Sequence, residues 1–251
     1  MILIPFSSGL DSTTLVLKAI QNKKSFETCY IEITNNSDKV KIEKQQRKKI
    51  KELFVKHFGH YISDREEIQI GVLRNEVVEL PQVPVWICGL LYSVRSSISE
   101  IQIGYCMNDD AISFIPDIKK IWNSYNSISD NKLPKLTFPL IKYKKQQSHR
   151  NLPDEIFQET FFCEMPFNVK LKEGSFDEYS WEDCGRCASC ERAKYDGTFI
   201  YYKRNQKKVE NSLTFTEKNL EEVKAAEPFI PLDEPGNKYE QDYEVTRIEE
   251  K

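Results

Sequence analysis

The chain has 251 residues, 39% of them hydrophobic, and a formal net charge of −3 at pH 7. That is enough for one α/β domain with a real core, and no uninterrupted apolar run is long enough to cross a bilayer. The small net charge gives no general attraction to nucleic acid, and seven cysteines, an odd number without a secretory leader, point to a reducing cytoplasm rather than a disulfide framework.

In chain order, strand-like and helix-like segments alternate, the pattern of a parallel sheet wrapped by helices. Strands are predicted at 2–6, 27–33, 68–72, 100–105 and 136–140, and helices at 12–22, 39–58, 86–98, 116–127 and around 142–150. The predicted fold is therefore α/β, a doubly wound, mostly parallel sheet. In the second helix Ile50, Leu53, Phe54 and Phe58 fall at helical spacing, and Lys39 to Lys56 holds eight basic residues against Glu43 and Glu52. That basic face reads as solvated rather than as an RNA or DNA surface. Tyr195 to Lys208 reads as an edge strand, and 216–225 as a short amphipathic helix. Residues 227–251, with Pro228, Pro231, Pro235 and Gly236, read as an extended tail, and from Glu217 onward eleven acidic residues face five basic ones.

The stretch Ser7-Ser8-Gly9-Leu10-Asp11-Ser12-Thr13-Thr14 follows the first apolar strand and opens the first helix. A tight turn of this kind aims unpaired backbone N–H groups into one concavity at the positive end of a helix dipole, which suits a phosphate. Glycine allows close backbone approach, and the Ser and Thr hydroxyls add donors. Asp11 repels phosphate, so it is predicted either to cap the helix or to ligate a magnesium ion that bridges to the phosphate. No lysine follows the glycine, so this is not the lysine-containing mononucleotide loop.

Far along the chain, Cys184-Gly185-Arg186-Cys187-Ala188-Ser189-Cys190 places three cysteines at C-x2-C-x2-C spacing. Their sulfurs can converge, and a closed tetrahedral zinc site then needs one more thiolate or imidazole. Cys163 is the first candidate, with His149 and Cys106 behind it. Iron–sulfur clusters use the same spacing, but only one further cysteine is near and no Cys-Pro follows, so zinc is the better reading. Cys29, Cys88 and Cys106 lie in apolar runs and read as small core residues.

The N-terminal turn resembles the Ser-Gly-Gly-x-Asp-Ser loop of the PP-loop ATPases, with Leu-Asp-Ser-Thr-Thr matching and Ser8 in place of the first glycine. If that position needs a positive φ, serine costs about 1 kcal/mol there. Together with Cys-Gly-x-Cys-x-x-Cys-x-Arg, ending in Arg192, the chain resembles QueC, the 7-cyano-7-deazaguanine synthase family, over roughly residues 1–195. Intermediate likenesses are Glu100-Ile101-Gln102-Ile103-Gly104-Tyr105, Asn108-Asp109-Asp110, Pro116-Asp117, and Phe138-Pro139-Leu140-Ile141 with Lys145 five residues after Leu140.

The resemblance implies a PP-loop ATPase domain at 1–159, a zinc-binding module at 160–204 and a C-terminal extension at 205–251. It implies ATP, Mg²⁺ and Zn²⁺ as cofactors. The triphosphate would lie over Ser7, Ser8, Gly9, Leu10, Asp11, Ser12 and Thr13, and Asp11 and Lys145 would be catalytic. Cys163, Cys184, Cys187 and Cys190 would be the zinc ligands, and Asp110 and Asp117 would be further candidates for substrate or metal. The implied chemistry is attack of a deazaguanine carboxylate on the α-phosphorus, then ammonia giving an amide and a second adenylation giving a nitrile. A homodimer is also implied.

The chain departs from the family at Ile31-Glu32-Ile33-Thr34-Asn35-Asn36, at Val85-Trp86 and at Leu171 to Asp183, the last reading as an inserted loop or hairpin. These departures bear on the substrate pocket. They keep open a QueC-like antiviral-defence activity that attaches a deazaguanine to a protein amine. Two other readings are a tRNA-modifying PP-loop enzyme and an inactive zinc-binding interaction module.

Overall fold

Strand β1 (Ile2–Pro5) is apolar at every position because helices cover both of its faces. Ile2 and Ile4 join a core with α1 (Leu10–Gln21), α2 (Ser37–Phe58) and α5 (Asp154–Glu159). Leu3 joins the opposite core, built on α3 (Gln82–Ser93) and α4 (Ile115–Ile128). The computed structural model describes residues 1–195 apart from 34, 35, 66, 71–81, 108, 146 and 148–151. The described residues fall in one unit, Met1–Gln206, while the expected edge strand, helix and tail beyond them lie outside the description, as does His149. Among the described residues no helix is long and apolar enough to cross a membrane.

The sheet is parallel throughout, in the order β2 (Phe26–Cys29), β1, β5 (Glu100–Gln102), β6 (Lys135–Thr137). The expected strand at 27–33 is in fact two. At Tyr30 the ladder to β1 ends, and β3 (Ile31–Ile33) pairs instead with β4 (Ile68–Ile70). The Tyr30 carbonyl already accepts from the Ile68 N–H at 3.0 Å, which begins that new pairing. The central helix starts at Gln82, four residues before the expected position, because Pro84 is tolerated in a first turn whose N–H groups lack helical partners. It stops at Ser93, ahead of the Arg95–Ile98 turn, in which the Ile98 N–H reaches the Arg95 carbonyl at 2.9 Å. The helix expected around 142–150 lies mostly outside the described residues, although Lys145 and Gln147 are helical.

All eight basic residues from Lys39 to Lys56 have a carboxylate partner, so charge on α2 is neutralised within the fold. Arg47 is the buried one, 3% exposed, at 3.0 Å from Asp64 and 3.4 Å from Glu67, with its guanidinium 4.4 Å from the Tyr30 ring. Removing it takes one cation from Asp64 and Glu67, which reach solvent and keep Lys51 and Lys44 as partners, and takes the guanidinium from its stack on Tyr30. Arg47→Leu is expected to lower unfolding free energy by about 1–2 kcal/mol, read as a reduced urea midpoint. An unshifted midpoint would mean that this guanidinium is not holding the strand ends.

Candidate functional site

The chain passes from β1 to β2 on one side of the sheet and returns on the other side as β5, so β1 and β5 meet at the switch point of the topology. Clefts for ligands open there, beyond the carboxyl ends of the strands. Two adjoining clefts, of about 290 and about 260 Å³, share Ser7, Gly9, Asp11, Ile31, Trp86 and Tyr105. Tyr105 lies between Trp86 and Phe138 in a near-parallel ladder of rings, with centroids 6.1 Å apart on each side.

The turn has Ser8 at φ +66°, the left-handed region that disfavours a side chain. This is the conformation expected for the family's glycine. The Ser8 side chain is fully buried, its hydroxyl donates to the Ser7 carbonyl, and its own carbonyl accepts the Phe161 N–H at 3.0 Å. Ser8→Gly is expected to raise stability by about 0.5–1 kcal/mol by relieving that strain. Urea denaturation with an unchanged m-value checks this, and a lower midpoint would show that the hydroxyl matters more than the backbone.

Gly9 caps α1, so Asp11 is not the N-cap; it is the second helical residue. Gly9 itself has φ −64°, so glycine is not needed there for its conformation. Ser12 and Thr13 both hydrogen-bond the Gly9 carbonyl, at 3.1 and 2.8 Å, and Thr13 is buried. Ser7, Gly9, Leu10, Asp11 and Ser12 line one or both clefts, and the N–H groups at the head of α1 lack helical partners. Gly104, two residues past the end of β5, closes the site. A Cβ there would lie 2.9 Å from the Asp11 carbonyl carbon and 3.0 Å from its oxygen, so only glycine lets the two backbones meet.

Freed from capping, the Asp11 carboxylate enters an ordered chain of charges. Lys145 Nζ lies 3.2 Å from Asp11 Oδ2 and 3.0 Å from Asp109 Oδ1. Arg192 Nη1 reaches that same Asp109 oxygen at 3.0 Å, and the Cys106 N–H donates to Asp109 Oδ2 at 2.7 Å. The Cys106 thiol donates to Asp11 Oδ1 at 3.1 Å. Burial, with Asp109 adding to it, raises the Asp11 carboxyl above its ordinary value against the pull of Lys145. Burial works to lower Lys145, but Asp11 and Asp109 outweigh it and hold the ammonium form well above the usual lysine range.

Asp109 and Cys106 therefore join the candidate site, a placement that the sequence alone does not reveal. Asp109 was bracketed by the Asn-Asp-Asp run, whereas Asp110 begins a 3₁₀ turn (Asp110–Phe114) and its side chain lies outside the description. Asp117 is a surface residue beside Lys120 at 3.4 Å. Cys106 is buried as expected, yet it serves the Asp11 site rather than the cysteine cluster.

The second site is built by Cys163, Cys184, Cys187 and Cys190, whose sulfurs all lie within 4.8 Å of one another. An antiparallel hairpin of β7 (Phe167–Leu171) and β8 (Tyr179–Glu182) returns the chain to Cys184; it starts four residues before the insertion expected at Leu171 to Asp183, which supplies its turn and second strand. Gly185, at φ +67°, makes the tight turn between the first two clustered cysteines of the motif. Cys190 is carried on α6 (Ala188–Tyr195). Backbone N–H groups of Cys184, Cys187 and Cys190 point at the sulfurs of Cys163, Cys184 and Cys187, at 3.3, 3.3 and 3.4 Å.

Such donors stabilise thiolates around a cation. Hydrogen bonding from the Cys190 thiol, aided by the Cys184 amide, pulls Cys163 down to about 6, whereas Cys190 is pushed up by the same bond and by burial. The cluster can hold a metal ion. A tetrahedral ion with about 2.3 Å bonds to sulfur sets the sulfurs about 3.8 Å apart. The Cys184–Cys190 sulfur separation is 3.9 Å.

No protein-family model matches the chain, and no curated protein matches it. Among solved structures, the U34-tRNA thiolase NcsA from Methanococcus maripaludis with its 4Fe-4S cluster is similar at 18% identity and a TM-score of 0.39. The match covers 64% of this chain and 58% of the thiolase, less than two thirds of that protein's length.

Proposed function

We propose that the chain is a QueC-like PP-loop enzyme of the adenine nucleotide alpha hydrolase fold, which uses ATP to adenylate a 7-carboxy-7-deazaguanine-type carboxylate and convert it to an amide or nitrile. The observation that carries this reading is the Ser7–Thr13 turn at the switch point, with the Asp11–Lys145 pair at its mouth. Both adjoining clefts touch that turn, which suits two ligands reacting across it.

In this reading the head of α1 and the Ser7 and Gly9 backbone receive the departing pyrophosphate. Lys145 moves from its carboxylate partners to the α-phosphate as charge builds on it, and Asp11 turns its freed oxygen toward the cation site. A magnesium ion, when bound, neutralises phosphate charge, and Asp11 with Asp109 would hold it. Gly104 keeps α1 close enough for Asp11 to reach that position. The four thiolates of Cys163, Cys184, Cys187 and Cys190 would bind zinc and leave no open position for a catalytic water, so the zinc is structural. A cubane of four irons spreads its thiolates more widely than a single ion does, so the spacing favours zinc over an iron–sulfur centre.

Trp86 supports a second outcome within the same chemistry. It stands at the Val85-Trp86 departure from the family and lines both clefts, so the pocket for the acyl group and its acceptor is remodelled. A protein amine in place of ammonia fits that change. A tRNA substrate is the weaker fit, since the basic residues of α2 are already paired with carboxylates.

The test is to mix protein, ATP, magnesium and 7-carboxy-7-deazaguanine with an ammonium salt as nitrogen donor, or with a candidate protein amine in its place, and follow pyrophosphate. Release dependent on the carboxylate supports the reading, and mass analysis then separates nitrile, amide and protein conjugate. Binding of ATP without carboxylate-dependent release would sink it.

A further inference from the structure

Residues flanking the cysteine ligands reach the cleft from three directions. Phe161, two positions before Cys163, donates its N–H to the Ser8 carbonyl at 3.0 Å and braces the strained turn. Glu164, immediately after Cys163, pairs with Lys39 on the cleft wall while its own N–H points at Cys187 Sγ at 3.5 Å. Arg192, two positions after Cys190, reaches the Asp109 oxygen that also accepts from Lys145, each at 3.0 Å.

We propose that the cysteine metal centre and the Asp11–Lys145 cleft are one thermodynamically coupled unit, with Arg192 as the positioning residue that joins them. This rests on the nucleotide reading of the cleft and adds to it a dependence of each site on the other. The physical reason lies in α6. It has eight residues, too few to hold a helix alone in water. Its place is set by Cys190, which is buried in the cluster with Cys163, Phe161 and Ile42. A metal ion on Cys190 fixes the first turn of α6 and delivers Arg192 already ordered, so the ordering entropy is not charged against ligand binding.

The Asp109 carboxylate then has two cations on one oxygen. With Arg192 in place, Lys145 is shared between Asp109 and Asp11 and is free to leave for a phosphate. Without it, Asp109 draws Lys145 toward itself and away from the turn. Coupling of this kind is reciprocal: whatever metal does for ATP affinity, ATP does for metal retention.

The experiment measures that reciprocity without turnover. Zinc-loaded protein is mixed with an excess of the chromogenic chelator 4-(2-pyridylazo)resorcinol, with and without Mg-ATP, and zinc release is timed. Calorimetry on the same preparation records ATP binding. ATP is expected to slow release by about tenfold, within the usual range of coupling between sites. Arg192→Ala, starting with one zinc per chain, is expected to lose that protection, and Arg192→Lys to keep part of it. If Arg192→Ala does not retain zinc on purification, Arg192→Gln, which keeps much of the side-chain stem and drops the charge on Asp109, must show the same loss at an ATP concentration that calorimetry shows to be saturating.

ATP that binds yet leaves the release rate unaltered would overturn the coupling while sparing the nucleotide reading. Full protection in Arg192→Ala or Arg192→Gln would remove Arg192 from the link. Absence of ATP binding in the native protein would overturn the nucleotide reading itself, and the coupling with it.

Discussion

Replacing Lys145 with methionine is expected to slow carboxylate-dependent pyrophosphate release by about 10²–10³-fold at saturating ATP, the range found when one preorganised charge donor is lost. Two effects combine. The phosphate loses a cation held in a buried, ordered position, where it stabilises developing charge without reorganising. In addition, Asp11 and Asp109, whose oxygens lie within 4.8 Å of each other, lose the ammonium between them. Burial and Asp109 already raise the Asp11 carboxyl, and without Lys145 the two acids tend to share a proton. A neutral Asp11 is a poor magnesium ligand, so the loss belongs in kcat as well as in the apparent affinity for magnesium. Metal content of the cysteine cluster should stay at the native level, which separates this effect from general misfolding. A variant turning over at the native rate would remove Lys145 from the chemistry.

Cys187→Ser is expected to give the largest structural effect. Its sulfur is the acceptor for two backbone N–H groups, from Glu164 and Cys190, so losing it removes a metal ligand and the anchor of both flanking segments. Structural zinc sites supply apparent binding free energies of about 10–16 kcal/mol in small domains, and most of that is folding free energy. The sheet has its own two cores, so the variant should keep its far-ultraviolet signal while zinc falls from one per chain toward zero and solubility declines. Unchanged zinc by atomic absorption would show that the ion, if any, is held elsewhere.

Much of this was legible in the sequence, and the reasons are physical. Continuous apolar runs such as Met1 to Phe6 mark strands covered on both faces, and the 3.6-residue spacing of Ile50, Leu53 and Phe54 marks a helix, so the α/β alternation could be read directly. Cysteine spacing constrains geometry strongly, and Cys163 does lie within reach of the other three sulfurs. What could not be read depends on long-range pairing. The break at Tyr30 follows from which neighbour offers its N–H groups, a choice that local pattern does not encode.

The same holds for the charges. Asp109 meets Lys145 because of how the segment after β5 turns over its own backbone; the Cys106 N–H holds one Asp109 oxygen and leaves the other to face the cleft. Cys106 reads as core because it is core; its thiol also touches Asp11, and nothing in composition signals that. Arg47 looks like one cation among eight, and only the fold shows that it is the buried one.

The ladder of rings at the cleft has an optical consequence. The chain has three tryptophans. Trp122 is sealed in the core with its indole N–H on the Pro134 carbonyl at 2.9 Å, and Trp181 meets Phe161 edge-on, whereas Trp86 alone of the three lines both clefts. Any solute entering beside it alters the polarity around its indole, so intrinsic emission should serve as a label-free titration signal, silent once Trp86→Phe is introduced.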